Sequence, residues 1–172
     1  VTSMSYTDSV SGSVKESYEY TYDKNDNILS EKIYNAYPAD ATERVNELRT
    51  HTYDNLDRLV STKIKNLDNN SVSDISYTYD KSGNRLTQNK DGEVTTYTYN
   101  GLDQLVSSIT KDKTGKITSK KTYSYDAKGN QTKINDTVTK EMVNHLFEVI
   151  NCTYDVAGQL VSYTSTKDGQ VQ

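Results

Sequence analysis

The chain repeats one phrase built around the dipeptide Tyr-Asp, and this repetition limits its fold more than any other feature. Six copies align on an anchor tyrosine, and successive anchors are 31, 26, 20, 26 and 29 residues apart. The anchors are Tyr22, Tyr53, Tyr79, Tyr99, Tyr125 and Tyr154. A period in this range is typical of proteins made from stacked copies of one small unit. The sequence therefore predicts a single array of about six repeats over residues 1–172.

Composition restricts how such an array is packed. Hydrophobic residues make up 33% of the 172 residues and the mean hydropathy is −0.86, which is low for a closed globular core. Fifteen tyrosines stand beside one phenylalanine and no tryptophan. Because a buried tyrosine hydroxyl needs a partner, we expect rings that are packed on their flat sides and polar or wet at one end.

Charge and hydropathy exclude several classes of protein. The net charge of −4 gives no basic stripe of the kind that binds nucleic acid. No stretch approaches the ~20 apolar residues of a membrane span, and the first residues lack the pattern of a signal peptide. The single cysteine, Cys152, rules out an intrachain disulfide. We therefore expect no nucleic-acid partner, no membrane insertion and no disulfide framework.

The residues before each anchor predict β-strands. In the segments 75–80 and 94–100, tyrosines occupy every second position among threonine and serine, which is the period and residue preference of a strand. Side chains two positions apart on a strand point to the same side of the sheet. The sequence therefore predicts that the tyrosines share one sheet face.

The residues after each anchor predict a hairpin turn. The first is aspartate in five copies and Asn100 in the fourth, and either side chain can close an Asx-turn on the backbone. The fourth is always glycine or aspartate, which tolerate the left-handed backbone region. Aliphatic residues return at the sixth and seventh positions in most copies. A second strand is expected to begin there.

A second set of turns is predicted between the copies, at residues 68–70, 91–92, 114–115, 135–136 and 168–169. The connection from Tyr34 to Arg44, which holds Pro38, is expected to be an irregular excursion. The segment 140–150 is predicted as strand rather than helix, because its end leads into another Tyr-Asp copy. The predicted fold class is all-β, a repetitive antiparallel ribbon of hairpins.

The pattern Tyr-x-Tyr-Asp-x-x-Gly-Asn-x-Leu resembles the Rhs or YD repeats of bacterial recombination-hotspot proteins, cell-wall-associated proteins, insecticidal toxin subunits and teneurins. The resemblance covers roughly residues 18 to 166, with departures at His51, Asn100 and Cys152. It implies a ribbon that curves or spirals into a shell, which in larger relatives encloses a carboxy-terminal toxin domain. The family's autoproteolytic segment is matched by no position here, so no catalytic residue and no enzymatic activity is expected.

Two interpretations of the tyrosines remain open. In the structural interpretation, each ring packs on the ring of the neighbouring repeat, as aromatic cross-strand pairs do in many sheets. In the binding interpretation, flat rings with nearby hydroxyls form a platform on which sugar rings stack. The candidate ligand-stacking residues are Tyr77, Tyr79, Tyr97, Tyr99, Tyr123 and Tyr125.

Metal and nucleophile sites are not favoured by the sequence. The segment from Asp23 superficially resembles a calcium loop, but Ile28 stands where such a loop needs glycine and Tyr34 where it needs glutamate. His51 and Cys152 each occupy an aromatic slot of their repeat, which favours packing over zinc binding or nucleophilic chemistry. We therefore expect no metal and no cofactor.

The sequence leads to two functional hypotheses. The first is a structural scaffold segment from a large bacterial secreted or surface protein, whose partners are the adjacent repeats and an enclosed or displayed toxin domain. The alternative is a carbohydrate or cell-surface binding module, and a hydrolase is the weakest third. The partial copies at both ends predict a piece of a longer array, and exposed strands near residues 1–21 and 162–172 predict self-association.

Overall fold

The computed structural model describes residues 2–9, 11–36, 44–140, 143–167 and 170–171. The chain divides into two compact units, Val1–Tyr77 and Thr78–Gln172, with the boundary inside one strand. That the six copies form one continuous array stays a prediction, and each unit has its own antiparallel pairing.

The first unit is a meander of strands that pair in chain order. Its strands are β1 (Thr2–Thr7), β2 (Val14–Tyr22), β3 (Ile28–Asn35), β4 (Val45–Tyr53), β5 (Leu59–Asn66) and β6 (Val72–Tyr79), the last of which runs into the second unit. Each strand is joined to the next by a short turn, except β3 and β4, which are separated by residues 36–44. Seven of those nine residues, 37–43, lie outside the described residues, and they include Pro38, on which the predicted excursion depends.

The second unit continues with the same connectivity. Its strands are β7 (Arg85–Lys90), β8 (Glu93–Tyr99), β9 (Leu105–Lys111), β10 (Ile117–Tyr125), β11 (Gln131–Lys140), β12 (Val143–Tyr154), β13 (Leu160–Lys167) and β14 (Gln170–Val171). The all-β antiparallel hairpin fold predicted from the sequence is confirmed. No helix in the described part of the chain is long and apolar enough to cross a membrane.

Every anchor tyrosine is the last residue of a strand, and the next strand begins six residues later. All anchor turns within a unit therefore lie at the same end of its strands, and the turns between copies lie at the opposite end of the strands. At the anchor, the pairing skips one residue of the outgoing strand, so that Tyr22 pairs with Ile28 while Thr21 pairs with Ser30. Because of this one-residue bulge, a five-residue turn connects the two strands while their side chains keep the same sheet faces.

Burial in this fold is shallow. Among the described side chains, those that are buried are polar, namely Thr62, Ser108 and Ser165, which are 8%, 8% and 4% exposed. Large apolar side chains such as Leu56, Leu102 and Val156 are 69%, 78% and 94% exposed. The described residues therefore contain no fully buried apolar core, and the strands are held by their ladders and by the side chains that link them.

The predicted turns between copies are correct in three described cases and wrong in one. Residues 68–70, 91–92 and 114–115 form turns, with left-handed backbone at Asn70, Asp91, Gly92 and Gly115. Asn135 and Asp136 instead lie inside β11, because their backbones pair with both neighbouring strands and Lys121 forms an ion pair of 3.1 Å with Asp136. The turn predicted at residues 168–169 lies outside the described residues.

The segment predicted as strand rather than helix is strand in the structure. Lys140 ends β11 and Val143 begins β12, which runs through to the anchor Tyr154. The two strands pair antiparallel from Lys140 and Val143 onward. The β-branched residues Val149 and Ile150 and the Tyr-Asp copy that follows them favour a strand, whereas the position of the preceding reversal was not visible in the pattern.

Candidate functional site

We define a YD turn as the five residues that follow an anchor tyrosine. The six YD turns are residues 23–27, 54–58, 80–84, 100–104, 126–130 and 155–159. In the turn after Tyr125, Asp126 Oδ1 accepts hydrogen bonds from the backbone N–H groups of Lys128 and Asn130, both at 2.9 Å, while Oδ2 accepts from the Asn130 side chain. The predicted Asx-turn is confirmed, and the aspartate accepts a backbone hydrogen bond from the residue four positions later as well as from the residue two positions later.

The fourth residue after each anchor has the left-handed backbone predicted for it. The φ angles are 64° at Asp26, 57° at Asp57, 92° at Gly83, 58° at Asp103, 88° at Gly129 and 82° at Gly158. Its N–H group donates to the carbonyl of the first turn residue, as Gly129 does to Asp126 at 3.0 Å. Glycine meets no Cβ penalty in this region, and aspartate tolerates it better than most residues.

The residue at this position also takes part in contacts between copies, which the residue types alone did not predict. Asp57 Oδ1 accepts hydrogen bonds from the side-chain amides of Asn25 and Asn27 in the preceding turn, at 2.9 and 2.8 Å. Asp103 Oδ1 accepts from Asn84 at 2.7 Å in the same manner. Aspartate at the fourth position therefore links its turn to the one before it.

Glycine at the fourth position makes room for the same neighbouring amide. A Cβ built on Gly129 would lie 3.2 Å from Nε2 of Gln104 in the preceding turn. A Cβ on Gly158 would lie 3.7 Å from Oδ1 of Asn130. In both forms the fifth residue of one turn lies against the fourth residue of the next, and a comparison of these two positions across copies could have revealed it.

Hydrogen bonds hold the pKa of several turn carboxyls below their usual value near 3.8. The side chains of Asn27, Arg58 and Asn130 lower the pKa of Asp23, Asp54 and Asp126 respectively. At Asp80, burial acts to raise the pKa, but bonds from the side chain and backbone of Asn84 outweigh it and the net shift is downward. The charged carboxylate is thus part of the folded turn.

Among the described residues, the same turn also forms without an anchor tyrosine, at the end of the second unit's strands opposite to the YD turns. Asp112 Oδ1 accepts from the backbone of Thr114 at 2.8 Å and of Lys116 at 3.1 Å, and Gly115 has a φ of 84°. The Thr114 hydroxyl, which also donates to Asp112, lowers the pKa of that carboxyl. The aspartate and the glycine are therefore sufficient for the turn, and the tyrosine must do something else.

The anchor tyrosines join one copy to the next through their hydroxyl groups. Each described anchor bond runs to the backbone carbonyl six residues after the preceding anchor. The pairs are Tyr53 to Ile28 at 2.9 Å, Tyr99 to Arg85 at 2.9 Å, Tyr125 to Leu105 at 2.8 Å and Tyr154 to Gln131 at 2.9 Å. The acceptor is the first residue of the preceding outgoing strand. This repeated donation is the hydroxyl partner that the composition required, and we call it the hydroxyl ladder.

Burial raises the pKa of these anchor phenols above 10.0. The shift is seen at Tyr53, Tyr99, Tyr125 and Tyr154, and removal of the ring from water is its main cause. At Tyr53 the charges of Asp23 and Glu31 act in the same direction. The phenol therefore stays protonated and able to donate at neutral pH.

The six candidate stacking tyrosines lie in pairs at the ends of three strands. Tyr77 and Tyr79 are on β6, Tyr97 and Tyr99 on β8, and Tyr123 and Tyr125 on β10. All six are half-buried, whereas the residues between them, Thr78, Thr98 and Ser124, are exposed on the other face. The tyrosines of each strand thus share one face, as predicted.

The described ring contacts of the tyrosines lie within one strand or involve a cation. Tyr20 and Tyr22 lie on the same strand with ring centroids 6.4 Å apart. Tyr97 lies under a cation, with the Arg85 guanidinium carbon 4.6 Å from its ring centroid. The described anchor tyrosines reach the preceding copy through their hydroxyl groups, and ring-on-ring packing between copies stays a prediction.

Hydroxyl pairs on the opposite face link the two strands of five of the six hairpins. The residue before the anchor and the residue eight after it approach within 2.6 or 2.7 Å in five copies. The pairs are Thr21 with Ser30, Thr52 with Ser61, Thr78 with Thr87, Thr98 with Ser107 and Thr153 with Ser162. This pairing was not predicted from the threonines alone, although the recurrence of a hydroxyl at both positions could have indicated it.

The two aromatic-slot substitutions are packed into the sheet. His51 Nδ1 lies 2.9 Å from the Thr62 hydroxyl, and Nε2 lies 3.4 Å from Glu31. Cys152 is a free thiol and is half-buried. Among the described residues, no group of three or more histidine, cysteine, aspartate or glutamate side chains is arranged to hold a metal ion.

An open groove of about 480 Å³ separates the first two YD turns. It is lined by polar groups that include Asp23, Asn25, Tyr53 and Asp57. The Asp23 carboxylate and the Asp57 Oδ1 atom already accept hydrogen bonds from turn residues. The groove is therefore a gap between two turns whose carboxylates already accept hydrogen bonds from turn residues, and it does not present a set of free ligand-binding groups.

Comparison with known families agrees with this repeat geometry. Residues 79–116, from the third anchor through the fourth copy to the turn at Asp112, match the family model of the RHS repeat. The chain contains an RHS repeat. The resemblance to Rhs/YD repeats drawn from the sequence is thereby confirmed. No curated protein sequence matches the chain.

Solved structures share the fold of this chain. Crystal structures of TcdB2-TccC3 and of TcdB2-TccC3-Cdc42 align over 87% of it with TM-scores of 0.66 and 0.65 and 21% identity. A crystal structure of TcdB2-TccC3 without its hypervariable C-terminal region aligns over 92% with a TM-score of 0.53 and 19% identity. The chain spans 7% to 10% of the length of those chains.

Proposed function

We propose that this RHS-repeat chain is a structural scaffold, a stretch of hairpin wall that encloses or displays a toxin or effector domain of a larger bacterial secreted or surface protein. In this role the chain supplies a stable wall of hairpins and catalyses no reaction on a substrate. Its partners are the adjacent repeats on either side and the domain that the wall surrounds.

The hydroxyl ladder is the observation that carries this proposal. Four anchor tyrosines donate to the backbone of the preceding copy at 2.8 to 2.9 Å. The aspartates that follow them accept bonds from their own turn or from the preceding turn. The residues that define the repeat are therefore engaged by their own or the preceding copy, which is the arrangement expected of a scaffold and not of a ligand site.

Repeat proteins with this connectivity lengthen by adding copies, since each copy contacts its neighbours and no shared centre. The absence of a fully buried apolar side chain among the described residues fits a thin wall better than a closed globule. The likeness to the TcdB2-TccC3 structures, in which a similar fold belongs to much longer chains, supports the same role.

The test is protease protection in the complete gene product. Purified protein with the native array is compared with a variant in which Tyr53, Tyr99, Tyr125 and Tyr154 are all phenylalanine, which removes the ladder and keeps the rings. We expect regions outside the array to be cut faster in the variant, while Tyr163→Phe, at a ring that is 62% exposed, changes nothing. Equal cutting of the native and ladder-free proteins would contradict the wall function.

Binding of sugars to the candidate stacking tyrosines stays a separate prediction that the same protein can decide. Glycan arrays and isothermal titration calorimetry should give no saturable ligand for the scaffold alone. A ligand whose affinity falls with Tyr97→Ala or Tyr123→Ala, in variants that keep their circular dichroism spectrum, would replace the scaffold proposal with the binding module.

A further inference from the structure

The fourth YD turn differs from the others in its first two residues. Asn100 stands where the other five copies have aspartate, and it is followed by Gly101, the one Asn-Gly sequence in the chain. Both residues are exposed. An asparagine followed by glycine can lose its side-chain amide when the glycine nitrogen attacks the side-chain carbonyl carbon, because glycine has no side chain to hinder closure of the five-membered ring.

The YD turn arranges the amide of Asn100 for this reaction. Asn100 Oδ1 accepts hydrogen bonds from the backbone N–H groups of Leu102 and Gln104, both at 3.0 Å. Attack on the side-chain carbon places negative charge on that oxygen. Two backbone donors at about this distance from a developing oxyanion form the arrangement that enzymes use to stabilise tetrahedral intermediates.

The attacking nitrogen is accessible in the same turn. The N–H group of Gly101 has no hydrogen-bond partner among the described residues, whereas the N–H groups of Asn100, Leu102, Asp103 and Gln104 are all engaged. Space around Gly101 is open, since a Cβ built there meets no atom within 4 Å. Water can therefore reach both the nitrogen that must lose a proton and the amide that must leave.

We propose that Asn100 is a self-modification site at which the YD turn promotes its own deamidation. The Gly101 nitrogen loses its proton to water and bonds to the Asn100 side-chain carbon, and the bond from that carbon to Nδ2 breaks as ammonia leaves with a proton taken from water. Water then opens the cyclic imide. The net change consumes one water and releases one ammonia, with no oxidation or reduction.

The aspartyl product fits the turn that forms it. In three of the sister turns, an aspartate at this position accepts from a side-chain amide at the fifth position, as Asp23, Asp80 and Asp126 accept from Asn27, Asn84 and Asn130 at 3.0, 3.1 and 2.9 Å. Asn100 Nδ2 now donates to Gln104 Oε1 at 2.7 Å. Rotation of the Gln104 amide by half a turn presents its NH2 group to the new carboxylate. Deamidation thus converts the exceptional copy into the common form.

The experiment follows Asn100 by peptide mapping and mass spectrometry while the folded protein is incubated at mildly alkaline pH. Fragmentation that separates aspartate from isoaspartate identifies the product. Because loss of one oxyanion donor lowers enzymatic rates roughly 100-fold or more, we expect conversion at Asn100 to be at least ~10-fold faster in the folded protein than in the same chain unfolded in urea. Asn130, which holds the fifth position of its own turn and precedes Gln131, should stay intact.

Two variants separate the mechanism from simple exposure. Gly101→Ala should abolish conversion over the same incubation, and it is tolerated structurally because the backbone there is not left-handed and the space is open. Asn100→Asp should unfold at the same denaturant concentration as the native chain. A conversion rate in the folded protein equal to or below that in urea, or a marked loss of stability in Asn100→Asp, would overturn the proposal.

Discussion

Removing a single rung of the hydroxyl ladder tests whether the anchor tyrosines hold neighbouring copies together. Tyr125→Phe deletes a hydroxyl that donates to the Leu105 carbonyl at 2.8 Å and leaves the ring in place. The half-buried ring loses no apolar area, so the change isolates one hydrogen bond. Such a bond contributes about 0.5–1.5 kcal/mol net to folding. We expect a loss of about 1 kcal/mol, which corresponds to a fall in Tm of roughly 2–4 °C for a chain of this length.

The assay is denaturant unfolding followed by circular dichroism, with Tyr163→Phe as the matched control. Tyr163 is 62% exposed, and its hydroxyl makes no hydrogen bond among the described residues, so its loss should lie within error of zero. Hydrogen exchange should speed up at the junction of β9 and β10 in Tyr125→Phe and stay unchanged within the YD turns. The reason is that the bond from the Tyr125 hydroxyl to the Leu105 carbonyl joins two copies and is not one of the hydrogen bonds that form a YD turn.

The pH dependence gives an independent check of the same bond. Burial raises the pKa of Tyr125 above 10.0 in the folded chain, so its contribution is fully present below the unfolded value and is lost as pH rises through the folded value. The stability difference between the native chain and Tyr125→Phe should therefore vanish at strongly alkaline pH. If Tyr125→Phe and Tyr163→Phe are equally stable at neutral pH, the ladder contributes nothing and our reasoning fails.

Three further predictions concern the turns and the edges. Asp23, Asp54 and Asp126 have lowered pKa values in the folded chain, so their contribution to the free energy of unfolding is complete above about pH 3.8. That contribution is lost as pH falls through the lower folded pKa values. An acid titration should therefore show the chain losing stability in this range and not at pH 5 to 6. Gly129→Ala should cost roughly 1–3 kcal/mol, because it places a Cβ at a φ of 88° and 3.2 Å from Gln104, whereas Gly101→Ala in the adjacent turn should cost much less; equal effects on the unfolding midpoint would contradict this. Strands at the two ends of the chain should cause concentration-dependent self-association in sedimentation experiments, and a strict monomer at high concentration would refute it.

The local structure of each repeat could be predicted because its determinants are local. The period-two tyrosines, the Asx residue after Tyr125 and the glycine at position 129 each act on the backbone within five residues, so their spacing in the sequence carries the information. The strand at Val149 and Ile150 has the same origin, since β-branched residues favour strands and the next Tyr-Asp copy follows directly.

The contacts between copies could not be predicted in the same way. The donation from Tyr125 to Leu105 spans 20 residues, and its acceptor is a backbone carbonyl, which every residue has. The expectation that rings pack on rings used the side-chain type and ignored where the hydroxyl reaches. Likewise, the turn expected at Asn135 and Asp136 followed from residue types that favour turns, but two neighbouring strands and Lys121 hold those residues in a strand instead.

The candidate site illustrates the same limit. Position four after the anchor was interpreted through backbone tolerance alone, which explains why glycine and aspartate occur there. Backbone tolerance says nothing of the amide side chains of Asn27, Asn84 and Gln104, which lie against Asp57, Asp103 and Gly129 of the next turn. These amides belong to the previous copy, so the contact joins residues that lie about a whole repeat apart in the sequence.

The lack of a fully buried apolar side chain among the described residues has a consequence for how genes of this kind change. In a protein with one enclosed core, gaining or losing a hairpin leaves a void or a clash that must be repaired elsewhere. Here the new neighbours need only offer a carbonyl to a tyrosine and an amide to an aspartate or glycine. Unequal crossing-over between copies can therefore alter the length of the coding sequence in one step and still give a foldable product.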